Sequence, residues 1–273
     1  MSWFEAIVLG IVQGLTEFLP ISSSAHLLIL SQVFGWDDPG AAFTAVTQIG
    51  TELAVIIYFR REIGAILRAW ARSLTQADAR SDPDARMGWL VIIGTIPIAV
   101  LGLLFKDQIE TVARNLWLVA LMLILFGVIL GVCDALGARI KTERDLTLRD
   151  GILYGLAQSL ALIPGVSRSG ATISAGLAMG YTRASAARYA FLLAIPAVLL
   201  SGLFEARKIG DDANVAWGPT LLATIIAFAV GFGVIAWLMK WLTTKSYLPF
   251  VIYRIVLGLL VMVLLAAGVL TAS

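Results

Sequence analysis

Residues Gln13–His26 read Q-G-L-T-E-F-L-P-I-S-S-S-A-H, and residues Pro164–Thr172 read P-G-V-S-R-S-G-A-T. Both stretches interrupt otherwise apolar sequence. Between them they hold a carboxylate, a guanidinium, five serines, two threonines and the only histidine of the chain. An ionisable group at membrane depth costs about 2.5–3.5 kcal/mol on insertion scales, so a chain rarely keeps one there without a use. The two clusters therefore mark both an interruption of the fold and a candidate site.

The surrounding composition supports membrane depth. Charged residues make up 14% of the chain against about 25% in soluble domains, and the mean hydropathy is +0.90. This is the composition of a polytopic membrane protein. Crossing a bilayer as helix takes about 20 apolar residues. Six stretches meet that length: Ala42–Phe59, Met87–Phe105, Leu116–Cys133, Ala184–Phe204, Pro219–Trp241 and Pro249–Leu270. The two polar clusters do not. Each has short apolar arms around a Pro and Ser break, the pattern of a segment that enters the membrane and turns back, with its irregular backbone buried in protein or lining a wet cavity.

The order of these segments repeats. Residues 1–134 read as a re-entrant hairpin (1–33) followed by three spans, and residues 150–273 as a second hairpin (150–181) followed by three more. Gly10–Pro20 and Gly155–Pro164 share Gly, Gln, Leu and Pro in the same order with one gap. Three crossings are an odd number, so the second half is expected to be inverted relative to the first, with a site where the two meet. The expected fold is all-α: a single membrane domain, 1–273, with six transmembrane helices and two re-entrant helical hairpins in an inverted repeat.

Charge orients it. Arg60, Arg61, Arg68, Arg72, Arg80 and Arg86 cluster in one loop, and Arg139, Lys141, Arg144 and Arg149 in another. The segments Phe105–Asn115 and Glu205–Trp217 carry two basic residues each, offset by acids. The positive-inside rule places the two Arg-rich loops in the cytoplasm and both termini outside. Trp3, Trp36, Trp89, Trp117 and Trp217, near span ends, read as interfacial anchors. The net charge of +2 gives no basis for nucleic-acid binding, and Cys133 alone permits neither an intrachain disulfide nor a Cys-based metal site. Glu5 and the lack of a basic n-region argue against a cleaved secretory signal.

Within the first cluster, Gln13 and Glu17 lie four apart on one helix face. Glu17 suits either a divalent-cation ligand, with Gln13 beside it, or a general base. Glu52, in the first span, is a weaker candidate for a supporting role. One of Ser22, Ser23 and Ser24 is expected to cap the helix after Pro20, and the others suit phosphate oxygens at its N-terminus. Ser23 and His26 are three apart, a spacing at which imidazole handles a hydroxyl proton. In the second cluster, Arg168 offers a planar fork for phosphate, and Ser167, Ser169 and Thr172 add hydroxyl donors around it. An ion pair between Arg168 and Glu17 is the structural reading of the same residues, and one pair can serve both purposes.

The two motifs resemble those of the integral-membrane undecaprenyl-pyrophosphate phosphatases, the bacitracin-resistance family. The first is similar to that family's (E/Q)-x-x-x-E motif with its following Pro, Ser and His, and the second to its P-G-x-S-R-S-x-x-T motif. The resemblance covers essentially the whole chain. It implies removal of the terminal phosphate of undecaprenyl pyrophosphate, which regenerates the lipid carrier for peptidoglycan synthesis. It also implies a divalent cation, magnesium or calcium, an inverted-repeat fold with two re-entrant hairpins, and roles for Gln13, Glu17, Ser23, His26, Ser167, Arg168 and Thr172. Gln13 stands where many members have Glu, which shifts weight for metal binding to Glu17.

The resulting expectation is a hydrolase of the bacterial plasma (inner) membrane with its site on the external face. Its partners are the lipid substrate and the bilayer lipids, with a homodimer left open. Ser23 attack followed by hydrolysis, and direct attack by water, both fit the residues. A flippase of isoprenoid phosphates is the rival reading, since the repeat suits transport equally. The two-histidine mechanism of acid-phosphatase-type membrane enzymes is excluded by the single histidine.

Overall fold

The computed structural model describes residues 1–38, 40–105, 115–209 and 216–272. Among them the chain is helical, with no strand beyond one isolated bridge between Lys141 and Tyr181. The helices are α1 (Trp3–Thr16), α2 (Ser23–Phe34), α3 (Gly40–Tyr58), α4 (Arg60–Thr75), α5 (Pro83–Leu104), α6 (Leu116–Leu136), α7 (Leu148–Ser159), α8 (Arg168–Ala178), α9 (Arg183–Ile209), α10 (Trp217–Trp241) and α11 (Leu248–Ala266). Five of these (α5, α6, α9, α10 and α11) hold an apolar stretch long enough to cross a membrane. A sixth span results if α3 and α4, bent by 81° at Phe59, are counted together. The protein is thus multi-pass. The polar clusters fall at breaks between the short helices α1 and α2 and between α7 and α8, as their Pro and Ser content predicts.

One expectation is corrected. The Arg-rich segment after Phe59 is not a loop over most of its length. Arg60–Thr75 is helical because Ile66, Ala69 and Ser73 recur on one face and pack inward while Arg61, Arg68 and Arg72 stay exposed. Of the balanced segments Phe105–Asn115 and Glu205–Trp217, residues 106–114 and 210–215 lie outside the described residues.

Small residues set the packing. In lipid the helices gain little from hydrophobicity against one another, so close backbone approach and hydrogen bonds take over. Gly10 and Gly14 on α1 face Ala223 and Ala227 on α10; a Cβ added at Gly10 would stand 2.6 Å from the Ala223 carbonyl oxygen. On the other side α7 meets α5 through Gly155 and Gly94. α6 packs along α11, and α3 along α9. Large apolar side chains such as Ile96, Leu103, Ile225 and Val263 are exposed, facing what would be lipid.

One end of the bundle carries a polar cap. Arg183 donates to Asp134 through Nε (2.5 Å) and Nη2 (3.1 Å), and Asp134 also accepts from the Tyr247 backbone N–H. Ser185 donates to Glu143, and Arg188 lies between Glu62 and Glu143. These bonds fasten the connection after α6 to the start of α9.

Candidate active site

The carboxylate of Glu17 is the hub. α1 ends there: Glu17 is the C-cap, still in helical conformation, and the chain then turns through Phe18–Ile21 to Ser22. Gln13, one turn earlier, donates through Nε2 to Glu17 Oε2 at 2.8 Å. The Ser23 hydroxyl donates to the same Oε2 at 2.7 Å. From the other half of the chain, Arg168 Nη2 reaches Glu17 Oε1 at 2.7 Å. Glu52, on α3, stands 3.8 Å from the same guanidinium nitrogen. A small cleft beside this group is lined by Glu17, Phe18, Glu52, Arg168, Ser169 and Phe191.

Each break leads into a helix N-terminus. Ser22 is the N-cap of α2 and Ser167 that of α8, and both have positive φ, 73° and 70°. Among the described non-glycine residues only Arg139 shares that feature. Ser167 caps its helix by accepting from the Gly170 N–H at 3.2 Å, whereas Ser22 makes no side-chain cap bond. The first-turn N–H groups of α2 therefore lack that capping acceptor, which is what an anion at a helix N-terminus replaces. The hydroxyls also match across the breaks: Ser22 lies 3.3 Å from Ser24, and Ser167 lies 3.2 Å from Ser169. Ser169 ties the second break to the first by donating to the Leu19 carbonyl at 3.2 Å.

Two candidates are placed differently from their spacing. His26 does not meet the Ser23 hydroxyl. Its Nδ1 lies 2.7 Å from the Ser22 carbonyl, and its Nε2 lies 2.7 Å from the Tyr253 hydroxyl. A carbonyl only accepts, so Nδ1 carries the hydrogen, and in the neutral imidazole Nε2 accepts from Tyr253. The two rings are stacked at 5.5 Å. Thr172 is fully buried and turns its hydroxyl back to the Arg168 carbonyl at 2.8 Å, closing the first turn of α8.

Tyr253 contacts His26 and Arg254 the carbonyls of both breaks, and motif spacing found neither. Arg254 is fully buried inside an apolar span, and an arginine in such a span was itself the signal that could have found it. Tyr253 carries no comparable signal.

For a hard cation, the available donors are oxygens. Gln13 Oε1 and Glu52 Oε1 are buried and have no hydrogen-bond partner, and both residues are engaged with the Glu17–Arg168 pair. Among the described residues no group of three His, Cys, Asp or Glu side chains forms a closed cage. Magnesium takes one or two carboxylates and completes its shell with phosphate and water, so two carboxylates and an amide oxygen fit it.

The family model for bacitracin resistance protein BacA matches residues 6–260. The chain belongs to the BacA family. Undecaprenyl-diphosphatase 2 of Streptomyces coelicolor is 61% identical over 99% of this chain and 97% of its own length. Undecaprenyl-diphosphatase of Micrococcus luteus is 60% identical, covering all of both chains, and that of a Nocardioides species 57%, again over the whole of both. Both polar clusters, Glu52 and the Tyr253–Arg254 pair lie inside the portion matched by the BacA model.

Proposed function

We propose that this chain hydrolyses undecaprenyl pyrophosphate to undecaprenyl phosphate and inorganic phosphate. This activity recycles the lipid carrier of peptidoglycan synthesis and confers bacitracin resistance. The observation that carries the reading is the convergence of Ser23 and Arg168 on one carboxylate, Glu17. Nucleophile and phosphate-binding fork each stand within hydrogen-bond reach of the base.

In this reading the pyrophosphate head enters between the hairpins while the prenyl tail stays in lipid. Arg168, the hydroxyls of Ser22, Ser24, Ser167 and Ser169, and the N-termini of α2 and α8 hold the phosphoryl oxygens. Such transfer is mostly positioning and electrostatics. Ser23 Oγ attacks the terminal phosphorus, Glu17 Oε2 takes its proton, and the bond to the bridging oxygen breaks, releasing undecaprenyl phosphate. Water then hydrolyses the phosphoserine, freeing inorganic phosphate. His26, held by Ser22 and Tyr253, serves proton transfer at Nε2. Glu17, Gln13 and Glu52 would hold a magnesium or calcium ion, which would supply charge neutralisation for the phosphates when bound. Direct attack by water activated at Glu17 is the second form of the same chemistry.

The architecture we propose is an inverted repeat of residues 1–134 and 150–273, each a re-entrant hairpin followed by three spans (α3, α5, α6; α9, α10, α11). Its support is reciprocal packing. The first arm of each hairpin lies on the second span of the other half, α1 on α10 and α7 on α5, and the two third spans pack together. The matched positive-φ serines add to it. With the Arg-rich segments cytoplasmic, the site opens to the external face of the plasma membrane.

The test is phosphate release from undecaprenyl pyrophosphate by purified protein with magnesium, with chelator, and for Arg168→Ala. Cation-dependent release that collapses in the variant supports the reading. No release by folded wild-type protein turns it towards a flippase of isoprenoid phosphates.

A further inference from the structure

Among the described residues, Arg254 is the one guanidinium buried completely in the bundle, and no carboxylate pairs with it. Five backbone carbonyls surround it instead. Nη1 donates to Pro20 at 2.9 Å, Nη2 to Gly165 at 3.0 Å, Val166 at 2.9 Å and Met122 at 3.3 Å, and Nε to Leu123 at 3.1 Å. Only arginine offers donors in so wide a rigid fork. Its partners come from three places: the first break, the second break and the middle of α6.

The carbonyls at the breaks are not arbitrary ones. Pro20 lies two residues before Ser22, and Gly165 and Val166 immediately precede Ser167. Ser22 and Ser167 are the two strained N-caps, with φ of 73° and 70°. Side chains with a Cβ avoid that region, and such residues persist only where their surroundings hold them. Gly170 fits the same account: a Cβ there would stand 2.7 Å from Arg254 Nη1, so the first turn of α8 is drawn tightly over the guanidinium.

We propose that Arg254 is a positioning residue that clamps both hairpin breaks with one side chain. It thereby sets the directions in which Ser22–Ser24 and Ser167–Ser169 present their hydroxyls and helix N-termini to the substrate phosphates. The proposal rests on the phosphatase reading for its functional consequence, and on the hydrogen bonds of Arg254 and the positive φ of Ser22 and Ser167 for the clamp.

The experiment compares Arg254→Lys in the wild-type background and in a Ser22→Gly/Ser167→Gly background, in lipid nanodiscs. It reads phosphate release together with amide hydrogen exchange. Lysine keeps the charge but cannot span the two breaks. In the wild-type background kcat should fall about 100-fold, the scale of an ångström-sized misplacement, with KM within about threefold of wild type. Exchange should accelerate at residues 19–25 and 164–171. Glycine removes the strain that the clamp holds, so in the glycine background the lysine substitution should cost at least about tenfold less, a difference of about 1.4 kcal/mol. The same loss in both backgrounds, or a rise in KM at unchanged kcat, overturns the proposal. If Arg254→Lys does not fold, recovery of folded protein in the glycine background supports the clamp, and failure there overturns it. If wild-type protein releases no phosphate, the phosphatase reading fails, and the exchange data still decide the clamp.

Discussion

Glu17 and Arg168, 151 positions apart, meet at 2.7 Å where the two breaks face each other. The glutamate side chain is 4% exposed and the arginine 18%. Removing one partner of a buried pair strands the other's charge and typically costs about 3–5 kcal/mol, whereas removing both charges costs much less. Arg168→Ala should therefore abolish phosphate release and lower thermal stability. Adding Glu17→Gln should restore part of that stability without restoring activity. A double variant no more stable than the single one would show that the pair contributes nothing to the fold.

Ser23 and Glu17 share a hydrogen bond at 2.7 Å, and the proposed chemistry uses them as a unit. Ser23→Ala and Glu17→Gln should each lower kcat by about 10²–10⁴-fold. The double variant should be no slower than the slower single one, because groups that act together give non-additive losses. Multiplying losses would assign them to separate steps. Phosphoserine at Ser23, trapped by acid quench and read by mass spectrometry, would exclude direct water attack.

Tyr253 holds the Nε2 side of His26 through one hydrogen bond and a stacked ring. Tyr253→Phe keeps the ring and deletes only the hydroxyl, whose bond is worth about 0.5–1.5 kcal/mol. A fall in kcat of roughly 2–13-fold is expected at tenfold per 1.36 kcal/mol, with thermal stability little changed. Unchanged steady-state kinetics would remove His26 orientation from the mechanism.

The α1–α10 contact depends on missing side chains. Gly10→Leu drives a side chain into the Ala223 carbonyl, and overpacking of this kind costs about 1–3 kcal/mol or more. A clear loss of thermal stability and of folded yield is expected. Gly233→Ala on the same α10 meets open space and should be tolerated. Equal stability of the two variants would refute close packing of the first hairpin arm on α10.

Much of the architecture was legible because it is local. The six apolar stretches lie on α3, α5, α6, α9, α10 and α11, and the Pro and Ser breaks on the turns after α1 and α7. The Arg60–Thr75 helix was less legible: its arginines read as a loop because the inward stripe of Ile66, Ala69 and Ser73 is short and small. At the site, Gln13 and Glu17 were placed together correctly, one turn apart on α1. Ser23 and His26 share a helical spacing, yet Ser23 turns to Glu17 and His26 to Tyr253, since partners outside α2 decide where each side chain points.

By itself the sequence determined that this chain is helical, multi-pass and twice interrupted by polar breaks, and that these breaks gather a carboxylate, a guanidinium and several hydroxyls. Hydropathy, helical spacing and Pro or Ser interruption are properties of neighbouring residues, so they can be read along the chain. Only the tertiary structure decided that Arg168 pairs with Glu17, that Tyr253 holds His26, and that Arg254 binds the carbonyls of both breaks. Those contacts join residues 88–234 positions apart. They depend on how closely glycine-faced helices approach one another, a property of the packed bundle that no local pattern contains.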